Sequence, residues 1–360
     1  MKIRQIAVGA ALPLCALAAC SSNPGHATTP TGGPTAAVQS PANTGTAPDA
    51  STGAPTLDAA SAAACQGKKI AYLTASISVP YWRSLAVGVD RVAKQAGATV
   101  TDYDSNLDSS TQLRNAQDAI TAGVDAIIIS PTDSTSAPVV LDAAKAAGVP
   151  VVIADVGTDS GDYVSFVQTD NVKGAAAAGD YLNQLLAAKD IKNAQIGMIA
   201  IEQTRQNGRN RTKGFTDAVE GAGHTVLPLL ESKQYTRSEG MSLAQDLITG
   251  NPNMVALFTQ HDEATLGALT ALETANDLDK IILVGFDGSP DTLQAIEDGK
   301  VKGASMQQPV LMGNDAMVAV CQYLGGTAPD KAIYVPTIMV TTDNVASVKA
   351  TVMDTVFATE

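Results

Sequence analysis

The chain has 360 residues, of which 45% are hydrophobic, 16% charged and 4% aromatic, and its formal net charge is −13. That hydrophobic share suits a globular protein with room for two cores. The acid excess argues against nucleic acid or an anionic lipid surface as partner. No H-E-x-x-H or G-x-S-x-G segment occurs, and only three histidines are present, so neither a metal nor a cofactor is expected.

In chain order, Lys2 and Arg4 precede the apolar run Ile6–Ala19. Residues 1–19 read as a secretory signal, too short to cross a bilayer as a stable helix. Leu17-Ala18-Ala19-Cys20 then resembles the lipobox of bacterial lipoproteins. The resemblance implies cleavage before Cys20 and lipidation of its sulfur, and two or more acyl chains anchor stably; an ordinary signal with an incidental cysteine is the alternative. Residues 20–64 follow as a tether of Ser, Thr, Pro, Gly and Ala with no Lys, Arg or aromatic residue. Such a segment buries too little to offset its ordering entropy and is expected to be disordered, spanning roughly 35 Å on average. His26, within it, is expected to be a solvated linker residue.

Beyond Cys65, short apolar runs alternate with longer amphipathic ones. Strands are expected at Lys69–Ala75, Ala98–Tyr103, Asp125–Ser130, Pro150–Asp155 and Tyr163–Gln168. A second series follows at Ala194–Ile201, His224–Leu230, Val255–Thr259, Ile281–Phe286 and Val301–Met306. Their two apolar faces indicate parallel sheets covered by helices. Helical patterns lie between them at Tyr81–Ala96, Thr111–Ala122, Ala137–Ala147, Arg209–Gly221, Gly240–Thr249 and Ala264–Ala275. The order implies an α/β protein of two doubly wound lobes with right-handed crossovers. Asp104–Asp108 begins like a calcium loop, but Ser109 and Asn115 stand where Gly and Glu are required, so a helix cap is the better reading. Cys65 and Cys321, at the ends of the folded part, are either a disulfide or two separate buried thiols.

Ligands of open parallel sheets bind beyond the carboxyl ends of the strands. The segments there are Ala75–Trp82, Asp155-Val156, Glu202–Arg209, Gln260-His261-Asp262 and Asp287-Gly288. With Pro80-Tyr81-Trp82, Ile128–Ser134, Gly148–Val152, Thr169-Asp170-Asn171, Phe258–Glu263 and Val284–Asp291, in this order and spacing, the chain resembles the type I periplasmic sugar-binding proteins, in particular their ribose-binding branch. The resemblance runs from about Lys69 to Val340. It implies a lobe of residues 65–169 plus 308–337, a second of 170–307 plus 338–360, and a hinge of three crossing segments. It implies a solute-binding lipoprotein that hands a small carbohydrate or polyol to an ABC transporter permease from the outer face of the cytoplasmic membrane, acting as a monomer and without enzyme activity.

Position by position, the resemblance places Tyr81, Trp82 and Tyr235 against the apolar faces of a sugar ring. It places Asp155, Arg209, Asp287 and the amide of Gln307 on its hydroxyls, and His261 where the ribose pattern has an asparagine. Bland readings stand beside these. Asp155 and Asp287 are alternatively helix N-caps, Tyr81 or Trp82 core residues, and Arg209 one of three arginines with Arg205 and Arg211. Val156, Val79 and Ala75 replace an arginine, an asparagine and a serine of the ribose pattern, so the expected ligand is a short sugar alcohol, a deoxy sugar or another pentose rather than ribose. A receptor that signals occupancy to a membrane sensor is the competing function. A glycoside hydrolase using Asp155 and Asp287 would need the two carboxyls a few ångströms apart with unequal pKa values, which nothing in the sequence requires, and a repressor of the same fold is less compatible with the lipoprotein signal and acidic charge.

Overall fold

Runs of buried β-branched and aliphatic residues form two six- or seven-stranded sheets in the computed structural model, which describes residues 57–357. The signal, Cys20 and the tether as far as residue 56 lie outside the described residues. The first half contains α1 (Ala59–Cys65), β1 (Lys69–Thr74), α2 (Pro80–Ala96), β2 (Thr99–Asp104), α3 (Ser109–Thr121), β3 (Ala126–Ile129), α4 (Ala137–Ala146), β4 (Val151–Ala154) and β5 (Ser165–Thr169). It continues with α5 (Asn171–Ala188), β6 (Gln195–Ile201), α6 (Gln206–Gly221), β7 (Thr225–Val226), β8 (Leu230–Ser232), α7 (Arg237–Gly250), β9 (Met254–Thr259) and α8 (Asp262–Ala275). Last come β10 (Ile282–Phe286), α9 (Pro290–Glu297), β11 (Gly303–Met306), α10 (Pro309–Leu324), β12 (Ala332–Val335), β13 (Ile338–Thr341) and α11 (Val345–Thr355).

The first sheet has the order β12-β5-β4-β3-β1-β2, and the second β13-β11-β10-β9-β6-β7, with β8 paired to β6. All ladders are parallel except β11–β13. The chain passes between sheets three times: after Thr169, at Gln307-Gln308 and at Pro336-Thr337. The last two crossings are tied together, since Gln308 Nε2 donates to the Pro336 carbonyl at 2.8 Å. Helices cover both faces of each sheet. α2 and α10 pack so closely that a Cβ on Gly88 would lie 2.0 Å from the Val310 carbonyl oxygen, and one on Gly313 2.1 Å from that of Leu85; only glycine permits this approach.

Local differences from the sequence pattern have physical causes. The tether ends sooner than residue 64, because Asp58 accepts from the Ser61 amide at 2.8 Å and caps an alanine-rich α1. The strand expected over His224–Leu230 is two fragments, interrupted at Pro228, which lacks a ladder donor. β2 is a mostly exposed edge strand rather than a buried one. Asp108 caps α3 through the Thr111 amide. Among the described residues no helix is long and apolar enough to cross a membrane.

Cys65, ending α1, is disulfide-bonded to Cys321 of α10 across 256 residues, with the Cα atoms 5.3 Å apart. Both cysteines are buried. Closing so long a loop restricts the unfolded chain, so reduction should destabilise the protein by about 3–5 kcal/mol. Urea unfolding with and without reductant checks this; equal midpoints would show that the bridge constrains nothing.

Candidate functional site

Asp155 and Asp287 occupy equivalent places, each directly after an interior strand of its own sheet, β4 and β10. Both adopt left-handed backbone, with φ of 74° and 67°, a region that non-glycine residues seldom enter. Each is held there by a bond to the next strand: the Asp155 amide donates to the Val167 carbonyl at 2.9 Å, and the Asp287 amide to that of Ser305 at 3.1 Å. Neither caps a helix, since Ser289 caps α9 and Asp155 leads into coil. The two carboxylates are 3% and 6% exposed and line one cavity between the sheets.

The first lobe supplies Tyr81 and Trp82 at the start of α2, where Pro80 takes the first helical position and gives up an amide that would have no partner there. Although adjacent, both reach the cavity. Tyr81 Oη donates to Asp155 Oδ1 at 3.2 Å and Trp82 Nε1 to Oδ2 at 3.0 Å. Of the three first-lobe departures, only Val79 lines the cavity; Val156 and Ala75 are fully buried.

The three arginines around α6 separate cleanly. Arg211 is 2% exposed and points inward, donating to Asn171 Oδ1 at 2.8 Å, to the Gln260 carbonyl at 2.6 Å and to Asp287 Oδ2 at 3.4 Å. Arg205, the non-helical N-cap, lines the cavity as well. Arg209, the arginine chosen from sequence, does not. Two residues turn a helix by about 200°, so Arg209 faces the rim opposite to Arg211. There it donates to the Gln203 carbonyl and, across the cleft, to Asp159 Oδ1 at 3.1 Å. The same turn crosses the cleft twice more, with the Gln206 amide on Ser134 Oγ at 2.9 Å and Asn207 Nδ2 on Asp155 Oδ1 at 3.4 Å. Asn207, Arg205 and Arg211 are therefore cavity residues that sequence reading passed over.

Tyr235 (φ 54°) and His261 form the second lobe's wall, with ring centroids 5.0 Å apart; Tyr235 lies 6.0 Å from Trp82. The resemblance puts His261 among the ligand residues, in place of an asparagine, but its nitrogens are not free for a ligand. Instead Nδ1 accepts from the Ala264 amide at 3.3 Å, capping α8, which makes Nε2 the protonated nitrogen that donates to Ser232 Oγ at 2.9 Å. Only the ring is left for the cavity. Gln307 donates from Nε2 to Asp287 Oδ1, leaving Oε1 without a partner. These side chains enclose about 30 Å³. A larger groove of about 420 Å³ at the amino ends of β4 and β5 is lined by Lys145, Tyr163 and Tyr323. Its acid, Asp162, is exposed and spent on Lys145, so it lacks the buried charges that mark the smaller cavity.

Burial raises the pKa of Asp155 and of Asp287, opposed in each case chiefly by the Arg211 guanidinium. Asp262 at the start of α8 is pushed up to about 8 by burial and by Asp287, so it is predominantly protonated at neutral pH. Glu263 at the rim is paired with Arg237 at 3.2 Å. Two carboxylates thus meet two guanidiniums in the cavity, a balance that suits a neutral, hydrogen-bonding ligand. Among the described residues no group of His, Cys, Asp or Glu is arranged to hold a metal ion.

Comparison with known proteins agrees with this architecture. The profile of the periplasmic binding protein domain matches residues 70–328. The ribose import binding protein of Bacillus subtilis is 34% identical over 262 residues, covering 72% of this chain and 83% of its own. A carbohydrate transporter solute-binding protein of Agrobacterium radiobacter, in complex with D-arabinose, superposes with TM-score 0.74 at 25% identity, over 79% of this chain and 97% of its own. An ABC transporter solute-binding protein of Mycobacterium smegmatis with bound glycerol does so with TM-score 0.74 at 27% identity, over 82% and 100%.

Two outcomes follow from the geometry. Arg209→Ala removes a half-exposed pair and should weaken binding of every ligand alike, by no more than about five-fold, whereas Arg211→Ala breaks a buried pair and should destabilise the fold by about 3–5 kcal/mol; calorimetric titration reads the first and urea unfolding the second, and a changed ligand ranking in Arg209→Ala would contradict the rim position. His261 is pushed down to about 3 by burial, then by Arg211 and Arg205, from 6.5. A depressed folded pKa means stability that is present above 6.5 and is lost as pH falls toward 3. His261→Asn, which keeps an N-cap acceptor, should flatten that acid limb in urea titrations at about pH 4.5 and 7.5; an unchanged limb would place the loss elsewhere.

Proposed function

The chain belongs to the periplasmic binding protein family, a solute-binding and non-enzymatic family, and we propose that it is the extracytoplasmic solute-binding lipoprotein of an ABC importer for a small neutral carbohydrate or sugar alcohol. The observation that carries this reading is the pair Asp155 and Asp287: one from each sheet, both buried, both lining a cavity walled by Tyr81, Trp82 and Tyr235. A carboxylate accepts from two adjacent hydroxyls, and aromatic faces cover the C–H faces of a sugar or polyol. A ligand that touches both lobes favours the closed arrangement, because only closure brings Asp155 and Asp287 to the same molecule. The ribose, arabinose and glycerol of the similar proteins are of this chemical class. In this reading Cys20 carries the lipid, and the segment after it tethers the lobes to the outer face of the cytoplasmic membrane, within reach of the permease.

Trp82 is the single tryptophan of the protein and lies in the cavity, so its emission reports directly on the site. Titration of the purified full chain with D-ribose, D-arabinose, ribitol, xylitol, glycerol and myo-inositol should give a saturable change with at least one of them. At a hundred times its dissociation constant that ligand should add about 2.7 kcal/mol of stability, and Asp287→Ala should weaken it at least about ten-fold. A folded protein whose emission and melting temperature ignore the whole panel would rule out the carbohydrate reading.

A further inference from the structure

Nine buried side-chain nitrogen and oxygen atoms have no hydrogen-bond partner among the described residues. Three of them, Arg205 Nε, Tyr235 Oη and Gln307 Oε1, belong to residues that line the cavity. Buried polar atoms are nearly always satisfied, so orphans gathered at one cavity indicate a partner from outside the protein. Arg205 was not among the residues indicated by the family resemblance. It is 3% exposed, and its guanidinium is held by ring faces instead of an acceptor: its carbon lies 4.6 Å from the Tyr235 ring centroid and 5.6 Å from that of Trp82 on the opposite lobe. The nearest acid, Glu202, is 3.7 Å from Nε, beyond hydrogen-bond reach. Tyr235 is fixed on two sides, by Arg205 and by the His261 ring. Its hydroxyl stays protonated, with a pKa pushed up to about 12 by burial.

Resting on the receptor reading above, we propose that Arg205 is a specificity-determining residue, and that Arg205 Nε and Tyr235 Oη together read one hydroxyl of the ligand from the second lobe. The chemistry is complementary. A guanidinium only donates, a phenol donates or accepts, and one alcohol oxygen accepts from the first while exchanging a bond with the second. A ligand without that hydroxyl leaves two buried polar atoms unpaired, the situation in which binding sites discriminate best. Contact with the Tyr235 ring, on the same lobe, positions the guanidinium, and contact with Trp82 makes the arrangement complete only when the lobes are closed. The charge balance with Asp155 and Asp287 directs Arg205 to a neutral oxygen rather than an anion.

The test is calorimetric titration of the full chain, wild type, Arg205→Met and Tyr235→Phe, with D-ribose, 2-deoxy-D-ribose, 5-deoxy-D-ribose, ribitol, xylitol, glycerol and D-ribonate. Wild type should prefer one neutral compound over an analogue lacking a single hydroxyl by at least about ten-fold. Each variant should bind that compound about ten-fold more weakly and bring the ratio to within about two-fold. Unchanged discrimination in Tyr235→Phe, or a uniform loss over all compounds in Arg205→Met, would overturn the assignment and leave Arg205 as wall packing. Tightest binding of D-ribonate would overturn it in favour of carboxylate recognition. Wild-type protein that melts cooperatively yet binds none of the compounds would overturn the receptor reading itself, and the assignment with it.

Discussion

A buried carboxylate has to be surrounded by donors, and Asp155 takes its donors from both lobes: Tyr81 and Trp82 on its own side and Asn207 across the cleft. Isolated charge in a protein interior is strongly unfavourable. The closed cleft is therefore the arrangement in which Asp155 is best satisfied, and the walls of the cavity are positioned by its bonds. Asp287 repeats the logic in the second lobe, with Arg211 and Gln307 as donors. Arg211 in turn is braced by Asn171 and the Gln260 carbonyl, so the site charges are locked into the strand ends on which they stand.

The two lobes solve the same problem with the same backbone device. Interior parallel strands end in an aspartate of left-handed conformation, hydrogen-bonded to the following strand. Turning the chain there, instead of entering a helix, aims the carboxylate across the strand ends into the cleft. The three crossings between the sheets lie below, and two of them are bonded to each other through Gln308 and Pro336. Closure then needs few contacts of its own, and the first turn of α6 provides them with Gln206, Asn207 and Arg209.

Arg205, Arg209 and Arg211 show why one stretch of charge divides into three tasks. Arg205 precedes the helix and takes extended backbone, which swings it against Trp82 and Tyr235. Arg209 and Arg211 are inside the helix and two residues apart, so one meets solvent and the other the core of the site. A shift of a residue or two in where the helix begins would reassign them all.

Read alone, the residues determined the alternation of strands and helices, the two parallel lobes and the segments after the strands from which the cavity is built. Those features depend on local apolar periodicity, which the chain carries in every short window. Asp155, Asp287, Tyr81 and Trp82 were within reach for the same reason, since each sits in a segment directly beyond a strand, whereas Tyr235 and Gln307 were indicated only by the family resemblance. The structure alone decided which arginine enters the cavity, that both nitrogens of His261 are spent on Ser232 and Ala264, that Pro228 splits a strand, and that Cys65 meets Cys321. Each of these turns on a helix start, a tautomer or an approach between residues far apart in the chain. Such facts are set by three-dimensional packing, and no local pattern of residue types encodes them.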